Sequence, residues 1–237
     1  MHERFWEVDF LRGSLISLMV VYHFLFDLAF FGFVSINLSA PFFKVGVWIG
    51  LGLFMFLVGT SLAISYARRQ QKTHFVFRGA RVFLLGVIIT IVTFTFFPQN
   101  TVVFGTLHFI GVAVLFAPLY LGLGVANSIL ALGVALITYA KPLFSFSHPL
   151  FIPTGLVQPN WYYFDYEPLI PWLFFVFSGV AFGAFFYQNQ TRKLSVPDFS
   201  KLPVVSHLCA LGRRSLVIYL IHQPILLSIL FVLSYVR

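Results

Sequence analysis

The chain is written in long apolar blocks separated by short polar stretches. Blocks at roughly 8–31, 44–67, 79–97, 104–123, 125–140, 168–188 and 211–235 each approach the ~17–25 residues an α-helix needs to cross a bilayer. The strict alternation that marks strands of a membrane barrel is missing from all of them. A spanning segment with no water around it must satisfy its backbone internally, which favours helices. The expectation is therefore an all-α, polytopic integral membrane bundle of about seven transmembrane helices, forming a single domain over residues 1–237. The boundary between the fourth and fifth blocks rests only on Gly122–Gly124, since no charge anchors the turn.

Composition agrees: 59% of the 237 residues are hydrophobic, 32 are Phe and only 9% are charged, far from the quarter typical of soluble domains. The net charge of +8 does not point to nucleic acid, because its distribution follows membrane topology. Arg4, Arg12, Arg68, Arg69, Lys72, Arg78, Arg81, Arg192, Lys193, Lys201, Arg213 and Arg214 fall on one side of a seven-span arrangement. Only Lys44, Lys141 and Arg237 fall on the other. The positive-inside bias then predicts a cytoplasmic N-terminus and an external C-terminus. Glu3, Glu7 and Asp9 ahead of the first block, with His23 and Asp27 inside it, read as a retained helix and not a cleaved signal.

That first block carries the candidate chemistry. At ~100° per residue, Asp9, Arg12, His23 and Asp27 share one ~60° arc of the helix. A charged group at the bilayer centre costs ~2.5–3.5 kcal/mol on insertion scales, so such a stripe should face protein or a watery cavity. His23 and Asp27 are four residues apart, close enough for the carboxylate to orient the imidazole and raise its basicity. His108 and His222 are the other candidates; Ser215 and Tyr219 share the face of His222. Either could equally be a hydrogen-bonded core residue. No histidine spacing supports a metal site, and Cys209 is the single cysteine.

Arg12, Arg68, Arg69, Arg78, Arg81, Arg213 and Arg214 gather where helices begin and end on the inner side. They read either as topology and lipid head-group contacts or as guanidinium forks for a phosphate-rich cytosolic ligand. The loop 141–167 holds four prolines and the cluster Trp161, Tyr162, Tyr163 and Phe164, an interfacial aromatic belt or a lid with Asp165 and Glu167 at its mouth. Gly46 with Gly50, and Gly179 with Gly183, have the spacing of close helix packing.

The run Arg4-Phe-Trp-Glu-Val-Asp-Phe-Leu-Arg-Gly13 followed by His23 resembles the opening of the transmembrane acyltransferases. These are the heparan-α-glucosaminide N-acetyltransferase-like proteins and the related acyltransferase-3 group. Phe54-Met-Phe-Leu-Val-Gly-Thr-Ser61, Gly105-Thr-Leu-His-Phe-Ile-Gly111 and Gly212-Arg-Arg-Ser-Leu-Val-Ile-Tyr-Leu-Ile-His-Gln-Pro224 extend the resemblance through nearly the whole chain. It implies transfer of an acyl group, usually acetyl, from cytosolic acyl-CoA to a hydroxyl or amine across the membrane. His23 matches the catalytic histidine position of the acyltransferase-3 proteins. The lysosomal relatives resemble this chain through Asp9–Gly13 but have Asn at the position of His23 and a catalytic histidine in the first luminal loop. This chain has no histidine between Phe24 and Thr73.

Together these readings make the expected protein a membrane-embedded, acetyl-CoA-dependent acyltransferase of a prokaryotic inner or plasma membrane, acting on a carbohydrate or lipid acceptor. His23, Asp27, His108 and His222 form its expected catalytic set. Asp9, Arg12, Arg68, Arg69, Arg78, Arg81, Arg213 and Arg214 form its expected acyl-CoA site. Membrane lipids are expected partners and a homodimer is compatible. The rival reading is a proton-coupled transporter using the same histidines and Asp27 as a relay; the odd span count and the missing internal repeat weigh against it.

Overall fold

A computed structural model describes residues 4–143, 146–157, 165–187 and 191–236. Trp161 to Phe164, the expected belt or lid, lie outside the described residues, as does Arg237. The architecture is helical: α1 (Trp6–Phe30), α2 (Pro41–Arg68), α3 (Lys72–Phe96), α4 (Thr106–Leu115), α5 (Ala117–Tyr120), α6 (Asn127–Ala140), α7 (Leu169–Phe186), α8 (Pro203–Arg213) and α9 (Ser215–Val236). Among the described residues six stretches are long and apolar enough to cross a membrane, with Thr106–Leu115 as a shorter apolar helix. The chain folds as two compact units, one of Met1–Phe54 with Val196–Arg237, the other of Met55–Ser195.

In the first unit, α1 packs along α8 and α9. Gly13 and Gly212 make the α1–α8 crossing close. A methyl group on Gly13 would run into the Leu208 carbonyl, and one on Gly212 into the Asp9 carbonyl. Cys209 is buried at the same crossing and donates to the Trp6 carbonyl at 3.3 Å. Further along, His23 meets His222 and Asp27 meets Gln223. The partners rise together along both segments, so α9 runs in the same direction as α1.

The expected break between the fourth and fifth blocks falls at Gly124, whose φ of 55° and ψ of −123° interrupt the helical path. Glycine reaches this backbone conformation without the strain a Cβ brings. Asn127 secures the bend, its buried amide donating to the carbonyls of Tyr120 and Gly124, both at 2.9 Å.

In the second unit, close approaches again fall at glycines. Gly59 and Gly179 admit the backbones of α7 and α2 respectively, and Thr60 Oγ1 bridges the carbonyls of Phe56 and Gly179 at 3.0 and 3.2 Å. Gly79 and Gly111 bring α3 against α4. Leu62, Phe75, Val114, Tyr120 and Val180 fill the core beside these contacts. Inside a bilayer lipid competes equally for apolar surface, so tight van der Waals contact at small residues drives the packing. The expected packing role holds for Gly179 and Gly183. At Gly46 and Gly50 a Cβ would meet nothing within 4 Å among the described residues.

Candidate active site

The polar stripe of α1 faces protein. Asp9 is 8% exposed and Asp27 3%, while Arg12 and His23 are half-buried. At its start Asp9 pairs with Arg12 at 3.3 Å, one turn away, and with Arg4 at 4.0 Å. Asp9 and Arg12 both belong to the expected acyl-CoA site. Arg12 sets its charge against a buried carboxylate of its own helix, and Asp9 would repel phosphate.

Deeper in α1, His23 Nδ1–H donates to the Met19 carbonyl at 2.9 Å. A ring nitrogen bonded to a carbonyl must carry the proton, so the neutral ring keeps a bare lone pair on Nε2. On α9, His222 repeats the arrangement, donating Nδ1–H to the Tyr219 carbonyl at 2.6 Å. His222 is 8% exposed, and its buried Nε2 has no hydrogen-bond partner among the described residues. The two rings lie edge to face, centroids 4.9 Å apart. Tyr22 stands edge-on to His23, and Tyr219 tilts against His222.

Asp27 does not orient His23 by a hydrogen bond, contrary to the four-residue spacing. Both its oxygens accept from the Gln223 amide, at 2.9 and 3.0 Å. The backbone explains the difference: a carbonyl one turn back is already within reach of His23 Nδ1, leaving Asp27 to find its donor on the neighbouring helix. Gln223 was not foreseen. Its signal in the sequence is a second polar residue beside His222, immediately before Pro224 in an otherwise apolar helix.

His108 belongs to the second unit and has a different environment. Nδ1 accepts the Gly105 backbone N–H at 3.2 Å; Nε2 then carries the proton and meets Thr90 Oγ1 at 3.3 Å. The Thr90 hydroxyl passes its hydrogen to the Val102 carbonyl at 2.6 Å. Phe104 stacks on the ring, Phe83 meets its edge, and only 4% of the residue is exposed. With both nitrogens engaged, His108 secures the start of α4.

Asp165 holds the same corner, accepting from Thr106 N and Oγ1 at 3.3 and 3.0 Å. The Glu167 backbone N–H donates to the Phe104 carbonyl at 2.9 Å. Glu167 Oε2 is buried with no hydrogen-bond partner among the described residues. Burial, reinforced by the Asp165 charge, pushes this carboxyl from its ordinary 4.5 up to about 9.

The remaining arginines fall in two places. Arg68, Arg69, Arg78 and Arg81 surround the α2–α3 turn in the second unit; Arg213 and Arg214 sit at the α8–α9 junction in the first. All but Arg68 are exposed. Among the described residues no group of three His, Cys, Asp or Glu side chains could hold a metal ion.

The candidate site thus brings together two imidazoles whose Nε2 atoms have no hydrogen-bond partner among the described residues, and the comparison with known families takes up the same stretch of chain. The sequence model for heparan-alpha-glucosaminide N-acetyltransferase, catalytic, matches residues 4–224. The chain belongs to this family. Comparisons with curated proteins and with solved structures return no match. As a member of the heparan-α-glucosaminide N-acetyltransferase family with six long apolar helices, the protein is an integral membrane enzyme of the N-acetyltransferase-like type. Enzymes of this kind take their acetyl group from acetyl-CoA. The matched stretch closes at Pro224, directly after His222 and Gln223.

Proposed function

We propose that the protein moves an acetyl group from cytosolic acetyl-CoA to a hydroxyl or amine of an extracytoplasmic sugar, glycan or lipid, with His23 as general base. The observation that carries this reading is the His23 tautomer. Its Nδ1–H is tied to the Met19 carbonyl, so Nε2 is the nitrogen able to receive a proton.

Acetyl-CoA supplies the activated carbonyl and a thiolate leaving group. His23 Nε2 takes the acceptor's proton as the new O–C or N–C bond forms and the C–S bond breaks, and the proton is then returned to the departing thiolate. His222, edge-on at 4.9 Å, offers a second acceptor nitrogen to hold the nucleophile in line. The exposed guanidiniums of Arg69, Arg78, Arg81, Arg213 and Arg214 fit the chemistry of the coenzyme's phosphates, since planar forks bind phosphate oxygens two at a time. A cytoplasmic N-terminus places these residues on the donor side.

The test uses membranes carrying the protein, supplied with acetyl-labelled acetyl-CoA, followed by counting label in extracted lipid and glycan. Labelling by the wild type that disappears in His23→Ala, with unchanged protein level and melting temperature, is the expected outcome. Equal labelling by the two overturns His23 as the base. Thermal stabilisation of the detergent-purified protein by CoA separates this reading from proton-coupled transport, because a small-solute transporter has no reason to bind the coenzyme.

A further inference from the structure

The bond between Asp27 and Gln223 has no place in the chemistry above, yet it joins the two helices that carry the imidazoles. Asp27 is 3% exposed, and both its oxygens lie on one amide nitrogen of Gln223. The amide orientation is dictated: turned over, it would set Oε1 against a carboxylate. The consequence is that Gln223 Oε1 is buried with no hydrogen-bond partner among the described residues. A buried acceptor left unpaired is unfavourable by ~1–3 kcal/mol, so the contact to Asp27 outweighs that cost.

Position gives the contact its meaning. Gln223 follows His222 directly, and Asp27 lies one turn beyond His23, so the bond pins the His222 turn of α9 to the His23 turn of α1. Pro224 comes next and has no N–H, so the Leu220 carbonyl, one turn back beside His222, loses its partner in the hydrogen-bond ladder of α9. A cross-helix bond beside that gap adds a constraint where the ladder is weakened.

We infer that Gln223 is a positioning residue, clamping Asp27 so that the imidazoles of His23 and His222 keep their edge-on separation of 4.9 Å. The catalytic part of this inference rests on His23 acting as the base; the geometric part does not. Asp27 thereby acts through Gln223 and not by touching His23. Removing the clamp lets the rings drift, and a displacement of about 1 Å at a reacting group lowers turnover ~10²-fold.

The experiment pairs Gln223→Leu with the isosteric exchange Asp27→Asn/Gln223→Glu, which rebuilds one amide–carboxylate pair with its polarity reversed. Two readouts are taken on detergent-purified protein labelled with ¹⁵N-histidine: the imidazole nitrogen resonances of His23 and His222, and acetyl transfer resolved into kcat and the KM for acetyl-CoA. Gln223→Leu is expected to move both sets of resonances and lower kcat ~10²-fold with KM unchanged. The exchange is expected to return both readouts toward wild type. Resonances that stay in place in Gln223→Leu, or stay displaced in a folded exchange variant, overturn the clamp. Should Gln223→Leu fail to fold, the exchange variant decides alone. The resonances report whether or not the protein transfers acetyl, so a failure of His23 as base leaves the geometric result readable.

Discussion

In one unit His108 accepts from Gly105 through Nδ1 and donates to Thr90 through Nε2; in the other, His23 and His222 each donate Nδ1–H to a carbonyl of their own helix, and their Nε2 atoms have no hydrogen-bond partner among the described residues. All three are histidines of apolar helices, and two of them, His108 and His222, are almost equally buried. Burial therefore does not separate a structural imidazole from a chemical one. The second nitrogen does. A ring with both nitrogens paired is held in place by the scaffold; one with an unpaired nitrogen has a position left for a proton or a ligand.

The largest effect expected from this difference is on turnover. His23→Ala should reduce acetyl transfer by ~10²–10⁴-fold, the usual contribution of a general base. Stability should change little, because the lost bond is to a carbonyl that already belongs to the helical ladder. His108→Ala should reverse the pattern. It breaks the relay from Gly105 to Val102 and empties the space between Phe83 and Phe104, lowering unfolding free energy by about 2–4 kcal/mol while transfer per folded molecule persists. Parallel assays of labelled product and thermal unfolding in detergent check both. A stable but inactive His108→Ala protein would erase the distinction.

The acids make the same comparison more subtly. Asp27 has a donor on both oxygens, whereas buried Glu167 Oε2 has none, and burial together with Asp165 raises Glu167 to about 9. A carboxyl whose folded value exceeds its unfolded one favours the fold in its protonated form. Its contribution is complete below about 4.5 and declines as pH climbs through about 9, where the folded protein too gives up the proton. Melting temperature should therefore fall with rising pH across that window, and Glu167→Gln, which keeps the neutral shape, should flatten the decline. An unchanged slope in Glu167→Gln would mean that other groups set it.

Much of this was legible beforehand, and the failures share one cause. Span positions, the bend near Gly124 and the inward-facing stripe of α1 follow from local periodicity, which each helix carries in its own residues. Partner choice does not. The i,i+4 spacing allowed His23 and Asp27 to touch, but whether they do depends on what α9 presents, and Gln223 is 196 positions from Asp27. Likewise the ion pair between Asp9 and Arg12 depends on side-chain placement that spacing alone does not give. His108 could be read either way until Thr90 and Gly105 were set around it.

The smallest effect expected concerns glycines, and it extends the comparison from nitrogens to packing. Gly13 and Gly46 both lie in helices of the first unit, one against the Leu208 carbonyl, the other facing open space. A methyl group at Gly13 has to separate α1 from α8, which overpacking of this kind makes unfavourable by ~1–3 kcal/mol. At Gly46 the same methyl meets nothing and only removes backbone freedom from the unfolded chain, so Gly46→Ala should be neutral or stabilising by ~0.5–1 kcal/mol. Thermal unfolding of the two alanine variants in detergent should move in opposite directions. If Gly46→Ala instead loses stability, the face carrying Gly46 and Gly50 is covered in the working protein, and cross-linking through cysteines introduced beside them would tell whether a second copy of the chain covers it.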